Sequence, residues 1–434
     1  MDDGPRLRVL FCPLGSSGDV HPLIGIGRAM QARGHSVTMI ANDHFEPLLR
    51  SLGFDFASTG NLEEFKDVIA NPDLWHPRRG FKLLSRRMFV PLMQRIYDRI
   101  LELHEPGRTV VVAPTISFGA RLAQERHDVP LATVLIQPVT LRSEHDAPKL
   151  PGMRSMARWP RWTKRFLYWL ADVAAIDPTL APPLNTMRKE IGLPPVRRVL
   201  GPWSFSTDAI IGLYPEWFAP RQPDWPAHYA PSVFPRYDES GAAEVPRDVQ
   251  EFLAAGDAPI VFTFGSANEQ ASAPLREALD AVRRLNRRAL FIARSADNVP
   301  QPLPASVMHA SYVPFSAIFP RCAAVVHHGG IGTTAQGLAA GIPQLIMPMG
   351  FDQFDNAERC RRLGVGEELR PQHFRGPAVA AALQRLLTRP EVGIACRACQ
   401  DRLAGEVDFT AICETIERVG RSGTGRSASA PATV

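Results

Sequence analysis

One stretch in the last quarter of the chain constrains its fold more than any other. Residues 325 to 366 read VVHHGGIGTTAQGLAAGIPQLIMPMGFDQFDNAERCRRLGVG. A β-branched pair typical of a buried strand is followed by a glycine-rich turn, an Ala/Leu helix and a second strand, PQLIMPM. This order predicts a strand-turn-helix-strand unit of a parallel α/β sheet.

The turn in this unit has the composition of a phosphate-binding site. Glycines let the backbone approach a ligand, and the free N–H groups and dipole at a helix start favour negative charge. The second strand ends at Asp352 and Gln353, so two strand ends present polar groups along one crevice. The alternative is a structural turn that merely caps the helix. The predicted phosphate ligands are His328, Gly329, Gly330, Gly332, Thr333 and Thr334.

The start of the chain has a similar pattern. LRVLFCP (7–13) predicts a strand, LGSSGDVHP a turn, LIGIGRAMQARG a helix with Pro22 in its first turn, and HSVTMIAN a second strand. This is the opening of a Rossmann-like half. A nicotinamide site needs GxGxxG in the turn, whereas this turn supplies only GxxG. We therefore predict that this turn, formed by Gly15, Ser16, Ser17 and Gly18, lines a cleft and does not bind a nicotinamide cofactor.

The length of 434 residues fits two domains of about 200 residues each. A proline-rich stretch of little periodicity separates two series of alternating strands and helices. We predict an α/β protein of two Rossmann-like domains facing each other across a cleft. Their predicted bounds are 1–220 for the first domain, 221–247 for a linker, 248–420 for the second domain and 421–434 for a disordered tail.

Charge and cysteine content restrict the function. The net charge of +5 suits an anionic small ligand and does not indicate nucleic acid. Six scattered cysteines do not form a disulfide framework, and the single CxxC, Cys396 and Cys399, lies in a helix-like segment. No apolar run reaches the roughly 20 residues that span a bilayer, and no signal peptide opens the chain, so we expect a cytoplasmic protein.

The segment from 153 to 175 is rich in tryptophan and arginine. It carries Trp159, Trp162 and Trp169. Such a helix can lie on an anionic membrane surface, which would place the protein at the periphery of the inner membrane. Alternatively, it lines an apolar acceptor cleft with its arginines in water.

The two turns together indicate where chemistry takes place. In the second half, Ser266 and the main chain of Val313 follow strands that end near the phosphate turn, and Asp352 and Gln353 suit sugar hydroxyls. In the first half, Asp19 can accept the proton of an attacking hydroxyl. Asp19 is equally suited to cap the helix that follows it, and His21 competes for the role of base.

These residues resemble a known family. HHGGIGTTAQGLAAGIPQLIMPMGFDQFDNA is similar to the nucleotide-sugar signature of inverting GT-B glycosyltransferases of the UDP-glycosyltransferase superfamily, and GSSGDVHP to an amino-terminal signature of its sterol and glycopeptide branch. DLWHPRRGFKLL and WFAPRQPDWP are similar to segments of bacterial rhamnosyltransferases of rhamnolipid synthesis. Related bacterial enzymes glycosylate flavonoids.

The resemblance implies a metal-independent transferase with Asp19 as general base. It also implies that residues 1–220 form the acceptor-binding domain and residues 248–420 the nucleotide-sugar-binding domain. The implied donor is a dTDP- or UDP-sugar, with dTDP-rhamnose leading, and the acceptor is a hydroxylated apolar molecule such as a hydroxy-fatty acid lipid or flavonoid. It implies the diphosphate contacts at His328, Gly330 and Thr333, the sugar contacts at Asp352 and Gln353, and further donor contacts at Ser266 and Val313. A nucleotide-sugar epimerase and a non-catalytic sugar-nucleotide-binding protein are the alternatives.

Overall fold

The computed structural model describes residues 6–76, 79–153, 155–238, 244–265 and 272–427. The amino-terminal domain contains a parallel sheet with the strand order β3-β2-β1-β4-β5-β6-β7. Its strands are β1 (Arg8–Phe11), β2 (Ser36–Ala41), β3 (Asp55–Ser58), β4 (Thr109–Pro114), β5 (Leu131–Leu135), β6 (Ala209–Gly212) and β7 (Tyr229–Pro231).

Helices cover both faces of this sheet. They are α1 (Ser17–Ala32), α2 (Glu46–Ser51), α3 (Leu62–Ala70), α4 (Arg79–Leu84), α5 (Val90–Leu103), α6 (Phe118–His127), α7 (Arg161–Ala171) and α8 (Asp177–Glu190). A π-helical turn, Asp172–Ile176, joins α7 to α8. Successive residues of a strand point to opposite faces, so Val9 and Leu10 enter two separate apolar cores. This explains the continuous apolar composition of the central strands.

The carboxyl-terminal domain has a second parallel sheet with the strand order β10-β9-β8-β11-β12-β13. Its strands are β8 (Ile260–Thr263), β9 (Ala289–Ile292), β10 (Val307–Ala310), β11 (Ala324–His327), β12 (Gln344–Ile346) and β13 (Gly366–Glu368). Its helices are α9 (Arg247–Ala254), α10 (Ser272–Leu285), α11 (Phe315–Ile318), α12 (Ile331–Ala340), α13 (Gln353–Leu363), α14 (Gly376–Thr388) and α15 (Pro390–Arg402). The two Rossmann-like domains expected from the sequence are confirmed.

The last helix, α16 (Thr410–Ser427), returns to the amino-terminal domain and packs against α1 and β4. Residues 421 to 427, predicted as part of a disordered tail, continue this helix; residues 428–434 lie outside the described part of the chain. The helix is held by its apolar face, with Ile416 fully buried, and by Glu417. Arg33 donates to Glu417 from Nε (2.6 Å) and Nη2 (2.9 Å).

Other local predictions also need correction. The predicted linker, 221–247, contributes the edge strand β7, because Tyr229 to Pro231 pair with β6. Helix α1 begins at Ser17, so Pro22 lies inside it and not in its first turn.

All six cysteines are buried and unpaired, with Cys396 and Cys399 packed inside α15. No helix in the described residues combines the length and apolar composition needed to cross a membrane.

We expect Glu417→Gln to weaken the attachment of α16. The hydrogen bond from Arg33, followed by that from His35, lowers the pKa of Glu417 from 4.5 to about 2. A carboxyl group whose folded pKa is depressed stabilises the fold above pH 4.5 and loses that contribution as the pH falls toward 2. At pH 7 the variant should lose about 1–2 kcal/mol of unfolding free energy in urea titrations.

The matched control is Glu414→Gln, an exposed position on the same helix. It removes the same charge without removing a hydrogen bond from Arg33 and should change stability by less than about 0.5 kcal/mol. Equal unfolding curves for Glu417→Gln and the unmodified protein at pH 7 would show that this ion pair does not stabilise the fold.

Candidate active site

The turn after β1 places a carboxylate at the start of α1. Ser16 is the N-cap residue, and Asp19 Oδ2 accepts a hydrogen bond from the Ser16 N–H at 2.8 Å. Gly15 has φ +136°, and a Cβ atom there would lie 2.1 Å from Asp19 Oδ2. Glycine at this position therefore leaves room for the carboxylate. The sequence alternative for Asp19, an N-cap, is corrected to the third helical position of a capping box.

Asp19 faces a carboxylate of the other domain. Burial raises its pKa from 3.8 to about 6, although the Ser16 N–H opposes this shift. The pKa of Asp352 is raised to about 7, first by burial, and the charge of Asp19 raises it further. Helix α1 also packs against α12. The structure thus brings Asp19 and Asp352, which are separated by more than 300 residues in sequence, to the same cleft.

His21 points elsewhere. It lies two residues after Asp19 on the same helix, and side chains at that spacing do not share a face. Its ring contacts Tyr237 edge-on, with 5.6 Å between ring centroids. Tyr237 belongs to the segment that joins the domains. The side chains of the two candidate bases therefore leave α1 on different sides, and Asp19 is the one on the side of Asp352.

The turn after β11 is built around two histidines with different roles. His327 is fully buried: its Nδ1 accepts the Gly329 N–H at 3.1 Å, and its Nε2 donates to Gln344 Oε1 at 2.9 Å. Burial lowers the pKa of His327 to about 3, so the ring is neutral. His327 was not predicted as a site residue. Its position as the last residue of a buried strand was the feature of the sequence that could have indicated a structural role.

His328 occupies a space that glycines leave open. A Cβ atom on Gly265 would lie 2.8 Å from His328 Cε1, and one on Gly330 would lie 2.6 Å from Nε2. Its Nδ1 is buried without a hydrogen-bond partner among the described residues. Burial lowers its pKa to about 4. His328 is therefore a neutral ring that can donate one N–H to an anion.

The start of α12 offers backbone donors beside His328. Gly330 is the N-cap residue, so the N–H groups of Ile331, Gly332 and Thr333 have no acceptor within the helix. A Cβ atom on Gly332 would meet nothing within 4 Å, and Thr333 is partly exposed. Thr334 is fully buried on the helix face turned toward the core, and its hydroxyl oxygen has no hydrogen-bond partner among the described residues. Its contact with a phosphate stays a prediction.

Gly329 bends this turn back toward α13. Its φ is +94°, and a Cβ atom there would lie 2.8 Å from Ile346 Cγ2. Asn356 Nδ2 donates to the Gly329 carbonyl (2.9 Å) and to Asp352 Oδ2 (2.7 Å). Asn356 therefore joins the phosphate turn to the acidic end of the second strand. Asn356, which lies one helical turn after Asp352, was not predicted as a site residue.

Gln353 has a structural task in addition to any ligand contact. Its Oε1 accepts hydrogen bonds from the N–H groups of Met349 (2.7 Å) and Gly350 (3.1 Å), and the side chain is buried. The expected sugar contact through this oxygen is therefore corrected, since the loop backbone already occupies it. Asp352, the N-cap residue of α13, is partly exposed and retains access to the cleft.

Val313, another expected donor-binding residue, follows strand β10. The Val313 side chain is buried in the core beside Ile318 and Phe319, which leaves its main chain as the part able to contact a base. Ser266 lies outside the described residues. Ser17 and Gly18 begin α1 and are accessible at the cleft turn. No group of three or more His, Cys, Asp or Glu placed to hold a metal occurs in the described ranges.

Direct contacts between the domains fix the width of the cleft. The loop before α7 reaches α13: Arg362 Nη1 donates to Asp146 Oδ1 at 2.7 Å, and the Lys149 N–H donates to Asp355 Oδ1 at 3.1 Å. Lys149 also forms an ion pair with Glu368. These residues were not identified from the sequence, because pairing between segments some 200 residues apart has no local pattern.

Comparison with known proteins places this geometry in context. Residues 276–417 match the family of the erythromycin biosynthesis protein CIII-like C-terminal domain. The chain is 28% identical to O-mycaminosyltylonolide 6-deoxyallosyltransferase of Streptomyces fradiae over 95% of this chain and 97% of that protein.

Two solved structures share the fold. The glycotransferase of kitacinnamycin has a TM-score of 0.74 and 18% sequence identity, over 96% of this chain and all of that one. The glycosyltransferase VinC in complex with dTDP has a TM-score of 0.69 and 20% identity, over the same shares.

Proposed function

This chain is a glycosyltransferase of the UDP-glycosyltransferase superfamily with the GT-B fold, and we propose that it transfers a sugar from a dTDP- or UDP-sugar to a hydroxyl of a small apolar acceptor. The observation that best supports this proposal is that α1, the helix that carries Asp19, packs against α12, the helix that follows the phosphate turn. The charge of Asp19 also acts on Asp352 of the second domain. The two carboxylates share a cleft whose second wall carries the free N–H groups of α12. A general base, a sugar contact and a diphosphate site thus lie together.

The reaction follows from these positions. Asp19 accepts the proton of the acceptor hydroxyl, whose oxygen attacks the anomeric carbon from the side opposite the diphosphate. The bond from that carbon to the diphosphate oxygen breaks, and the leaving group takes the electron pair. Attack from the opposite side inverts the anomeric configuration. Burial raises the pKa of Asp19 to about 6, which is still below neutral pH, so the carboxylate is mostly ionised there, as a base must be.

The leaving diphosphate is stabilised without a metal ion in this proposal. The N–H groups at the start of α12 and the neutral ring of His328 donate hydrogen bonds to its oxygens, and the helix dipole favours its charge. Thr333 adds a hydroxyl donor at the same helix end. The Val313 main chain is placed to contact the base, and Asp352 accepts hydrogen bonds from sugar hydroxyls.

The donor and acceptor classes rest on similarity. The relative from Streptomyces fradiae is named as a 6-deoxyallosyltransferase acting on a tylonolide, and VinC binds dTDP. Both favour a dTDP-deoxysugar, in agreement with dTDP-rhamnose as the leading donor from the sequence. We propose an apolar aglycone with a free hydroxyl as acceptor, such as a hydroxy-fatty acid lipid or a flavonoid.

A substrate panel tests the function. The purified protein is mixed with dTDP-rhamnose or UDP-glucose and with fatty-acid, sterol and flavonoid acceptors, and products are identified by mass spectrometry and by the anomeric coupling in NMR spectra. We expect nucleoside diphosphate release that depends on the acceptor, an inverted glycoside and unchanged turnover with EDTA. Conversion of the donor without acceptor would instead indicate an epimerase. Donor binding without any product across the panel would indicate a non-catalytic binding protein.

A further inference from the structure

Helix α7 is attached to the protein through its polar side chains. Lys164 is buried and its Nζ donates to the carbonyls of Glu144 (3.0 Å) and His145 (3.3 Å). Tyr168 donates from its hydroxyl to the Ser143 carbonyl at 3.0 Å. Asp172, in the π-helical turn that follows, is buried and accepts from Arg142 Nη1 at 2.6 Å. Positions 164, 168 and 172 share one side of the helix.

The opposite side of α7 is apolar and faces solvent. We call this the outer face and define it as Trp162, Phe166, Trp169, Leu170 and Val173. These side chains recur at spacings of three and four, and each is at least 42% exposed, with Trp162 at 72%. An ordinary surface helix has the reverse arrangement, with its apolar stripe toward the core. A contiguous exposed patch of large apolar side chains marks an interaction surface.

The charge around the outer face identifies the partner. Residues 155 to 171 contain four basic residues and no acidic one. Arg158 and Arg161 are exposed near the amino-terminal end of the helix, and Arg165 is paired with Glu144. A helix with Trp, Phe and Leu on one face and basic residues at its border has the composition of a helix lying at a membrane interface. The basic border is complementary to anionic lipid headgroups.

Other occupants fit this surface less well. Self-association through the outer face would bury its apolar side chains but would not use the exposed Arg158 and Arg161, which an anionic surface can contact. A ring-shaped aglycone such as a flavonoid is shorter than the outer face, which extends about 16 Å from residue 162 to residue 173. The polar side of α7, and not the outer face, packs on the loop that reaches α13.

We propose that α7 binds the protein to the surface of an anionic lipid bilayer, with the outer face inserted at the boundary between headgroups and acyl chains. The basic border then contacts the headgroups, and the helix lies in the plane of the surface. This places the enzyme on a membrane without a spanning segment. The inference does not depend on the proposed donor or acceptor.

Vesicle binding tests the proposal with the full chain. The protein is sedimented with vesicles of phosphatidylcholine alone or with 30 mol% phosphatidylglycerol, at about 50 and 500 mM salt. We expect binding to the anionic vesicles, a blue shift of tryptophan emission and weaker binding at high salt. The double variant W162S/F166S should lower the partition coefficient about tenfold or more. The double variant R158Q/R161Q should remove most of the preference for anionic lipid.

The matched control is Ile394→Ser, which removes an apolar side chain that is 60% exposed in α15 of the other domain. It should bind vesicles like the unmodified protein. Circular dichroism and turnover with a water-soluble acceptor show that each variant is folded. Absence of vesicle binding by the unmodified protein would overturn the proposal, as would equal binding by W162S/F166S. A dimer in sedimentation velocity that this variant abolishes, or an effect confined to acceptor KM, would assign the outer face to self-association or to the acceptor.

Discussion

Asp19→Asn should lower kcat by at least about 100-fold while leaving donor affinity within about twofold of the unmodified protein. The asparagine oxygen can still accept the Ser16 N–H, which the carboxylate accepts at 2.8 Å. The start of α1 therefore stays capped, and the substitution removes the negative charge together with the ability to take a proton. The measurements are steady-state kinetics with a fixed acceptor and calorimetric titration with the nucleoside diphosphate.

The pH profile distinguishes a base from a structural carboxylate. Because the pKa of Asp19 is raised to about 6, kcat/KM of the unmodified protein should rise with pH through about 6 and level off above it. The residual kcat/KM of Asp19→Asn should not show this rise with pH. The matched control is Asp177→Asn in α8, where the carboxylate also accepts backbone N–H groups, from Arg198 (2.8 Å) and Val199 (3.0 Å). Near-normal turnover of Asp19→Asn with an unchanged pH profile would rule out Asp19 as the base.

The central strands of both sheets could be predicted from the sequence, because they are buried on both faces and are therefore apolar throughout. TVVVAP, for example, matches β4 residue for residue. Three of the four edge strands could not, the exception being β10 (Val307–Ala310). Asp55–Ser58 and Gly366–Glu368 carry acidic residues, and Tyr229–Pro231 lies in a proline-rich stretch. An edge strand pairs on one side only and needs little apolar character, so its sequence carries little signal.

In the site, sequence motifs identified the residues at turns but not the directions of their side chains. Glycines in the two turns were predicted to let the backbone approach a ligand, whereas in the structure Gly15 and Gly330 leave room for the side chains of Asp19 and His328. Thr334 lies one position after Thr333, but the helix turns it into the core. The same limit applies to α7, whose sequence predicted an amphipathic helix without showing which side packs on the protein. Which side of a helix faces the protein interior is determined by tertiary contacts, such as the hydrogen bond from Tyr168 to the Ser143 carbonyl.

His328→Ala should weaken nucleoside diphosphate binding about 10- to 100-fold. A hydrogen bond to a charged group contributes roughly 1.5–3 kcal/mol, and each 1.4 kcal/mol is a factor of about ten in affinity. His328 is held in the space above Gly265 and Gly330, where alanine leaves no donor. Calorimetric titration with dTDP and UDP measures the loss directly. Because burial lowers the pKa of His328 to about 4, the ring is neutral between pH 6 and 8, and this loss should not vary over that range.

The control is His309→Ala, which removes a partly buried histidine on β10 of the same domain. The His309 ring contacts the Ala293 carbonyl through Nε2 at 2.8 Å, so its loss affects stability without removing a donor from the phosphate turn. Thermal unfolding of the two variants separates a loss of fold from a loss of ligand contact. If both variants lost dTDP affinity equally, the effect would belong to the domain as a whole. If His328→Ala bound dTDP normally, the diphosphate would depend on the backbone donors of α12 alone, and the role we assign to the imidazole would be wrong.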